Sequence, residues 1–394
     1  MASKAPFDCG YFVDSDDECE IEAEAEPWER YAERLYYPVQ IGEVLNDRYR
    51  IEHKLGWGGH STVWLAHDAQ QHKRVALKIM IAGEGQAEHQ IQLRIQDAVQ
   101  DWSRLILFQS AFFLPSSDGH QHMVLVYPLR GPNLRDTMRE TPPAVRMVAA
   151  KHILLALKSL HDAEFVHKDL SLPNIMWHIE AMDHWSTEEV YRHLGRPRKV
   201  PLHEAHGKPG ELVEPIQIPA SSTTLPIYLG DFGLTFKLGD TVKPTVQFPL
   251  ALCAPERLHG AAPNLATDMW SYMYLFLSLH LGGNVIWGNG TTCISLLVGM
   301  LGPFPEHWKG SYSGGDVWED WWWDHSGQIC PPPVPLETLV EKIDRRRPDI
   351  SPLERDYVIS LIRRGLCYAP EDRITAAQLV EDPSFNGLMA IYGA

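Results

Sequence analysis

The chain has 394 residues and a formal net charge of −16, so it lacks the basic surplus typical of proteins that bind nucleic acid directly. Apolar residues make up 44% of the sequence and aromatic residues 10%, which excludes a wholly disordered chain. The six cysteines are scattered without paired spacing, which favours a reducing compartment over a disulfide framework or a zinc site.

The sequence gives no indication of secretion or membrane insertion. The N-terminus has no apolar leader, and the most apolar stretch, residues 272–281, is too short and interrupted to cross a bilayer. We therefore expect a monomeric protein of the cytoplasm or nucleus, with no membrane and no nucleic acid as a direct partner.

Acidic side chains dominate the N-terminal region, above all between Asp14 and Glu26. Few large apolar residues accompany them, so residues 1–35 are predicted to form a disordered, solvated tail. A regulatory pseudosubstrate or a partner-binding segment is the alternative. Ordered structure is expected to begin near Tyr36.

Residues 36–131 are predicted to form a small β-rich lobe. Short runs rich in Val, Ile, Leu and aromatic residues, separated by glycines or polar residues, indicate an antiparallel meander followed by a helix and a further buried strand. The predicted strands cover residues 49–55, 62–67, 74–80 and 123–127, and the predicted helix covers residues 86–100.

Residues 132–394 are predicted to form a large helical lobe. Residues 269–281 are apolar on nearly every side, as in a helix at the centre of a helical domain. Residues 180–226 are polar and rich in proline, so they are predicted to be a surface insert with one short helix, residues 187–194. The expected fold class is α+β, with two lobes. Further helices are predicted around residues 153–160, 354–364 and 376–380.

A glycine-rich turn, Gly-Trp-Gly-Gly at residues 56–59, lies between two predicted strands. Glycines let backbone amides approach a phosphate closely. A strand follows the turn, which excludes the dinucleotide fingerprint, where a helix follows. An ordinary hairpin is the alternative for this motif alone.

Lys78 ends the run Val-Ala-Leu-Lys within an apolar strand. Burying an ammonium group without a partner is unfavourable, so the oxygens of a nucleotide phosphate and a helix carboxylate are its expected partners. Glu88 fits the helical spacing best, and Glu84 remains open. A surface lysine that extends its charge into water is the alternative.

The run His-Lys-Asp-Leu-Ser-Leu-Pro-Asn at residues 167–174 follows an amphipathic helix. Asp169 can accept the proton of a substrate hydroxyl, and Asn174 can reach a magnesium ion.

Asp231 begins an Asp-Phe-Gly run, in which its carboxylate would hold magnesium against the nucleotide phosphates. Phe232 is expected to pack inside, and Gly233 is expected to permit the backbone turn.

Three further residues have expected structural roles. Glu256, in an Ala-Pro-Glu run, and Arg373 can form a bidentate ion pair that anchors a loop to the helical lobe. Asp268 begins the apolar helix. A plain surface pair is the alternative for Glu256 and Arg373.

This ordered set of motifs resembles the signature of the eukaryotic protein kinase superfamily over residues 49–385. The resemblance implies a bilobal serine/threonine kinase that uses ATP and Mg²⁺ and acts on protein substrates. Tyr127 would lie at the back of the adenine pocket, with the hinge beginning at the next residue. The implied ATP-binding residues are Leu55, Gly56, Gly58, Ser61, Val63, Ala76, Lys78, Pro128 and Arg130.

A narrower resemblance is to the SR-protein kinases, carried by residues 37–42, Tyr49, residues 54–58 and residues 61–66 and by the insert. The short activation segment and the style of the insert are most similar to a divergent fungal group of these kinases. The resemblance implies a preference for serines flanked by arginines. Residues 316–324, with three adjacent tryptophans, would be a docking surface for such substrates or a loop packed on the helical lobe.

Two other functions compete with an active protein kinase. A pseudokinase that serves as an ATP-binding scaffold is favoured by Ser171, because the family usually places a lysine there. A small-molecule phosphotransferase is opposed by the Ala-Pro-Glu run and Arg373, since such an enzyme needs no peptide-binding segment.

Lys168 also departs from the family, which usually has an arginine before the catalytic aspartate. An arginine grips a phosphorylated loop with two donors, whereas lysine offers a point charge. We therefore expect activity that does not depend on phosphorylation of Thr241 or Thr245, and that is unchanged by phosphatase treatment.

Ser171 predicts a slow enzyme rather than an inactive one. In the family, the lysine at this position touches the γ-phosphate, and a serine loses that contact. Losing one hydrogen bond to a charged group costs about 1.5–3 kcal/mol, which corresponds to about 10- to 100-fold in rate. Ser171→Lys is expected to raise turnover in a labelled-ATP assay. An unchanged rate would contradict this explanation.

Overall fold

The computed structural model describes residues 7–14, 16–116, 119–180, 182–202, 208–242, 249–288, 290–312 and 337–394. They form two compact units. The first draws its described residues from Met1–Arg94, Ile106–Pro132 and Trp177–Thr224, and the second from Ile95–Leu105, Asn133–Met176 and Leu225–Ala394.

Strands are concentrated in the first unit and helices in the second, in agreement with the predicted α+β class. The strands are β1 Tyr11–Phe12, β2 Val44–Leu45, β3 Tyr49–Gly58, β4 Ser61–Asp68, β5 Lys73–Met80, β6 Ser110–Pro115, β7 Gln121–Pro128, β8 Phe165–Val166, β9 Ile175–Ile179, β10 Arg198–Leu202, β11 Gly210–Val213, β12 Thr223–Leu229 and β13 Phe236–Lys237. The helices are α1 Glu18–Glu24, α2 Glu29–Ala32, α3 Gln86–Ala98, α4 Leu134–Thr137, α5 Pro143–Asp162, α6 Thr187–Leu194, α7 Leu265–Leu281, α8 Gly290–Leu301, α9 Leu339–Arg346, α10 Pro352–Gly365, α11 Ala376–Val380 and α12 Pro383–Ile391.

A six-stranded sheet with the order β2-β3-β4-β5-β7-β6 forms the centre of the first unit. All five pairs of neighbouring strands are antiparallel. Apolar side chains on its strands, such as Ile51, Leu77 and Val124, are fully buried in one cluster. The predicted strands and helix of this region are present, with ends shifted by up to three residues, and β2 and β6 are additions that the sequence pattern did not reveal.

The N-terminal region differs from the disordered tail predicted for residues 1–35. Its described residues include α1 and α2, and Ile21 and Tyr31 are buried in a shared apolar cluster. Acidic side chains of this region have basic partners far away in the sequence: Glu26 pairs with Lys54, where both side chains are buried, and Glu20 pairs with Arg198. The prediction of disorder is wrong for these residues because it could not include those partners.

The insert also differs from its predicted placement. The sequence predicts that residues 180–226 belong to the helical lobe of residues 132–394. In the structure, the described residues of this range up to Thr224 belong to the first unit. Helix α6 has the predicted bounds, and β10 and β11 form an antiparallel pair. Strand β1 adds to β10 in parallel, so two segments distant in sequence fold as one small sheet.

Helix α7 is the central helix of the second unit, as its apolar sequence predicts. Every residue from Thr267 to Leu281 is buried. Its Asn264 cap accepts hydrogen bonds from the amides of Ala266 and Thr267, and the hydroxyl of Tyr272 donates to the carbonyl of Ala150 in α5 at 3.1 Å. The cap therefore satisfies two of the N-terminal amides of the helix, and α5 satisfies one of its buried hydroxyls.

The predicted pair of Glu256 and Arg373 is present and bidentate. Arg373 Nη1 donates to Glu256 Oε1 at 2.7 Å and Nη2 donates to Oε2 at 3.0 Å. Both side chains are buried, and the guanidinium also donates to the carbonyls of Ala266 and Cys367. The surface-pair alternative does not hold.

Within the described ranges, no helix is both long enough and apolar enough to cross a lipid bilayer. The cysteines within the described ranges, Cys9, Cys19, Cys253, Cys293 and Cys367, do not form disulfides with one another.

Removing Arg373 should destabilise the protein strongly, because Arg373→Ala leaves a buried carboxylate without its partner. We expect a loss of about 3–5 kcal/mol in the free energy of unfolding, measured by urea denaturation. Arg355→Ala is the matched control, since it breaks an ion pair with Asp344 that is largely solvated and worth about 1 kcal/mol or less. Equal losses in the two variants would contradict the anchoring role of the buried pair.

Candidate active site

The backbone of residues 167–174 is anchored by the carboxylate of Asp268. Its Oδ2 accepts the amide of His167 at 2.7 Å, and its Oδ1 accepts the amide of Lys168 at 2.8 Å. His161 Nε2 lies 3.1 Å from Oδ2. Asp268 is almost completely buried, and its two oxygens hold Lys168 in a left-handed conformation with φ of 69°. The residue after Lys168 is Asp169.

Asn174 is hydrogen-bonded to Asp169. Its Nδ2 donates to the backbone carbonyl of Asp169 and to the carboxylate Oδ2, both at 2.9 Å. Since both amide hydrogens are directed at Asp169, the amide oxygen of Asn174 remains to face a cation. Carboxylate and amide oxygens are the ligands that Mg²⁺ prefers.

Asp231 is linked to the same loop through its neighbours. The amide of Gly230 donates to the carbonyl of Asn174 at 2.8 Å. Asp231 adopts a left-handed backbone conformation, with φ of 60°, and its side chain is exposed. Phe232 is fully buried, as predicted, and Gly233 follows in an exposed turn.

His167 is a site residue that motif reasoning did not single out. Its Nε2 lies 3.1 Å from the carbonyl of Gly230, and its Nδ1 lies 3.3 Å from the amide of Asp169. The ring also packs edge-to-face on Phe232. A neutral ring with its proton on Nε2 satisfies both contacts, so His167 joins the Asp169 segment to the Asp231 segment.

Burial raises the pKa of Asp169 above its ordinary value. The Asp231 carboxylate acts in the same direction, whereas the hydrogen bond from Asn174 opposes the rise. Nearby carboxylates that repel one another are where a cation or a shared proton is favoured.

Lys78 forms an ion pair with Glu88 in the first unit. Its Nζ lies 2.8 Å from Oε2 and 2.9 Å from Oε1. Glu84, the other candidate, instead accepts from His60 at the surface. The Nζ therefore lies beside a buried carboxylate, which removes the alternative of a surface lysine extending into water.

Two further side chains hold Glu88, and neither was predicted to do so. The hydroxyl of Tyr127 donates to Glu88 Oε1 at 2.9 Å, and Gln92 Nε2 donates to the same oxygen at 3.1 Å. Gln92 follows Glu88 by one helical turn on α3, a spacing that could have revealed the contact. Tyr127 comes from β7, so its contact depends on tertiary structure.

The residues predicted to bind ATP lie on the β3–β4 hairpin, β5 and the end of β7, all in the first unit. Gly56 pairs with Val63 and Gly58 pairs with Ser61 across the hairpin. A Cβ added at Gly56 or Gly58 would meet no described atom within 4 Å, so these glycines leave room for a ligand. The remaining predicted residues are placed as follows: Leu55 on β3, Ala76 on β5 opposite Tyr127, Pro128 at the end of β7 and Arg130 in the loop after it.

The sequence profile of the protein kinase domain matches residues 49–385. The chain belongs to the protein kinase family. It is 27% identical to a serine/threonine protein kinase of Aspergillus fumigatus, with 92% of this chain and 91% of the relative covered. It is 25% identical to the serine/threonine-protein kinase SRPK of Physarum polycephalum, with 92% of each covered. Mouse SRSF protein kinase 3 is 29% identical over 44% of this chain and 32% of its own length.

A crystal structure of a kinase domain has the same fold, with a TM-score of 0.62, 15% identity and coverage of 89% of this chain and 99% of that domain. The predicted fold class and family are thereby confirmed. The kinase is a serine/threonine protein kinase that uses ATP and acts on protein substrates. These relatives favour an active kinase over a pseudokinase.

Two predictions lie partly or wholly outside the described residues. Thr245, in the segment after the Asp-Phe-Gly run, is outside them, whereas Thr241 is described and exposed. The tryptophan-rich residues 316–324 are also outside.

The two glutamates provide a sharp test of the lysine pair. Glu88→Gln removes the charge that faces Lys78 and should lower the rate of phosphoryl transfer about 10- to 100-fold, since a hydrogen bond between charged groups is worth about 1.5–3 kcal/mol. Glu84→Gln is the matched control and should leave the rate within about twofold, because a surface pair is weak. Steady-state assays with varied ATP measure both. A larger loss for Glu84→Gln would contradict the assignment.

Proposed function

We propose that this kinase transfers the γ-phosphate of ATP, with Mg²⁺, to serines flanked by arginines in protein substrates. The similarity to relatives named SRPK and SRSF protein kinase supports this substrate class. The net charge of −16 also favours attraction of an arginine-rich segment.

The arrangement around Asp169 is the observation that carries the proposed chemistry. Its carboxylate is oriented by Asn174 and lies on a backbone fixed by Asp268. In the proposed reaction Asp169 accepts the proton of the substrate hydroxyl as the oxygen attacks phosphorus. Its raised pKa brings the carboxylate closer to the value that proton acceptance requires.

Asn174 and Asp231 are proposed to hold Mg²⁺ through one amide and one carboxylate oxygen. Across the described residues, no group of three or more His, Cys, Asp or Glu side chains could hold a metal ion. With only two ligands from the protein, the other ligands of the ion would be phosphate oxygens and water. When bound, the ion neutralises charge that develops on the phosphates.

Lys78 is proposed to contact the phosphates of ATP. Glu88 fixes its ammonium group, and Tyr127 and Gln92 fix Glu88 in turn. The β3–β4 hairpin is proposed to cover the phosphates with its backbone amides, since Gly56 and Gly58 leave space beside their Cα atoms.

A labelled-ATP assay tests the reaction and the substrate class together. Wild type should label an arginine–serine peptide more efficiently than a neutral serine peptide, because the acidic protein attracts the arginines. The expected ratio of the two kcat/KM values is about tenfold or more, which corresponds to about 1.4 kcal/mol of discrimination between the peptides. Asp169→Ala should abolish labelling of both peptides while keeping the thermal stability of the fold.

Equal labelling by wild type and Asp169→Ala would contradict the role of Asp169. A preference for the neutral peptide would contradict the substrate class and leave the transfer reaction standing. Raising the salt concentration should lower the preference for the arginine–serine peptide, because the proposed attraction is screened.

A further inference from the structure

The glycine-rich hairpin is hydrogen-bonded to a segment outside the sheet. We call that segment, residues 18–36, the N-terminal brace. Tyr36 donates its hydroxyl to the carbonyl of Gly58 at 2.8 Å, and Arg30 Nη2 donates to the carbonyl of Gly59 at 2.9 Å. In return, the indole of Trp57 donates to the carbonyl of Glu24 at 2.9 Å. Three hydrogen bonds thus join the brace to the tip of the hairpin.

The two donor side chains of the brace are themselves held in place. The guanidinium of Arg30 lies over the ring of Tyr36, 5.0 Å from its centroid. The ring of Tyr36 is buried and packs edge-to-face on Tyr31. A buried ring and a stacked guanidinium have lost most of their rotamer freedom before they donate, so their contacts with the hairpin are pre-organised.

A buried ion pair fixes the brace to the base of the hairpin. Glu26 pairs with Lys54, both side chains are fully buried, and the hydroxyl of Tyr31 also donates to Glu26. Lys54 lies on β3, two residues before Gly56. Buried charges of this kind need their partner, so the brace cannot leave the hairpin without exposing or orphaning Lys54.

The insert supports the brace from its other side. Arg198 on β10 pairs with Glu20 on α1, and Leu212 on β11 shares an apolar cluster with Ile21. The insert also contacts β3 directly, because the amide of Ile216 donates to the carbonyl of Lys54 at 2.9 Å. The brace is therefore part of a folded element and not a loose arm.

The anchored carbonyls determine where the hairpin amides point. In a trans peptide the C=O and N–H bonds point to opposite sides. With the carbonyls of Gly58 and Gly59 directed at the brace, the amides of Gly59 and His60 are directed away from it. Those two amides are the groups at the hairpin tip that could donate to a phosphate.

We propose that the brace positions the glycine-rich hairpin for ATP, with Arg30 and Tyr36 as its positioning residues. This inference rests on the proposed function, in which the hairpin covers the phosphates. Fixing the hairpin before ATP arrives lowers the entropy lost on binding, so the brace acts mainly on ATP affinity. These contacts join only the brace and the hairpin, so the affinity for the protein substrate is expected to stay unchanged.

The double variant Arg30→Ala/Tyr36→Phe of the full chain tests the proposal. Loss of two hydrogen bonds should raise the KM for ATP, and the Kd for ATP measured by calorimetry, about tenfold. The KM for the peptide should stay within about twofold of the wild-type value. Arg30→Lys, which keeps a donor but loses the planar fork, should fall between wild type and Arg30→Ala.

Two variants in the same unit serve as matched controls. Arg192→Ala removes an arginine whose surface pair with Glu188 lies on the insert helix, and Tyr11→Phe removes the hydroxyl of an exposed ring. Both should leave the KM for ATP unchanged. If the double variant fails to fold, Tyr36→Phe alone decides, because it keeps the buried ring and should raise the Kd for ATP about threefold.

Each remaining outcome counts against the brace. An unchanged KM for ATP in folded variants overturns it. An equal loss of kcat/KM for ATP and for the peptide, together with a fall in melting temperature, also overturns it, because that result indicates a structural role only. A wild-type protein that binds no ATP overturns this inference together with the proposed function. Wild-type binding and transfer with no change in the variants overturn the brace alone.

Discussion

The buried carboxylate of Asp268 is the constraint on which the backbone of residues 167–174 depends. A left-handed backbone at a lysine is unfavourable, and it persists here because Asp268 accepts the amides of both His167 and Lys168. The carboxylate itself is tolerated inside the protein because donors from three residues surround it. Helix α7, on which Asp268 lies, is buried along almost its whole length. The position of Asp169 is thus set by the core of the second unit.

The first unit uses the same physical arrangement around Glu88. A buried carboxylate accepts from a lysine, a tyrosine and a glutamine, so its charge is satisfied from three elements: α3, β5 and β7. Gln92 also accepts from the amide of Phe108, which ties α3 to the segment that leads into β6. In each unit, then, a buried carboxylate fixes a residue that is proposed to take part in the chemistry. Removing such a carboxylate leaves buried donors without partners, which is costly in a low-dielectric interior.

Local patterns predicted the parts of the fold whose stabilising contacts are near in sequence. The meander around Lys78, the helix that carries Glu88 and the apolar α7 all follow from strand alternation or helical period, and the structure contains them. The predictions for the N-terminal region and the insert are wrong because the residues that these regions contact lie far away in the sequence. In the sequence Glu26 lies in an acidic run typical of a solvated tail, whereas in the structure it pairs with Lys54. Strand β1 likewise pairs with β10, which lies far away in the sequence. The contacts of His167 with Gly230 and of Tyr127 with Glu88 could not be predicted for the same reason, because they join segments that no sequence periodicity relates.

The departures at Lys168 and Ser171 concern side chains, whereas the conformation of residues 167–174 depends on backbone groups of these two residues. Lys168 contributes its amide to Asp268, and Ser171 contributes its carbonyl to the amide of Asn174 at 3.1 Å. Any residue except proline can supply a backbone amide, and every residue has a carbonyl, so replacing the usual arginine and lysine of the family leaves the geometry of Asp169 and Asn174 intact. What changes is the charge near the site. Ser171 has no charge, and burial and the neighbouring Arg257 lower the pKa of Lys168. Exchanging an arginine for Lys168 and losing a lysine at Ser171 therefore leaves Asp169 in place, which separates the maintenance of the fold from the tuning of the rate.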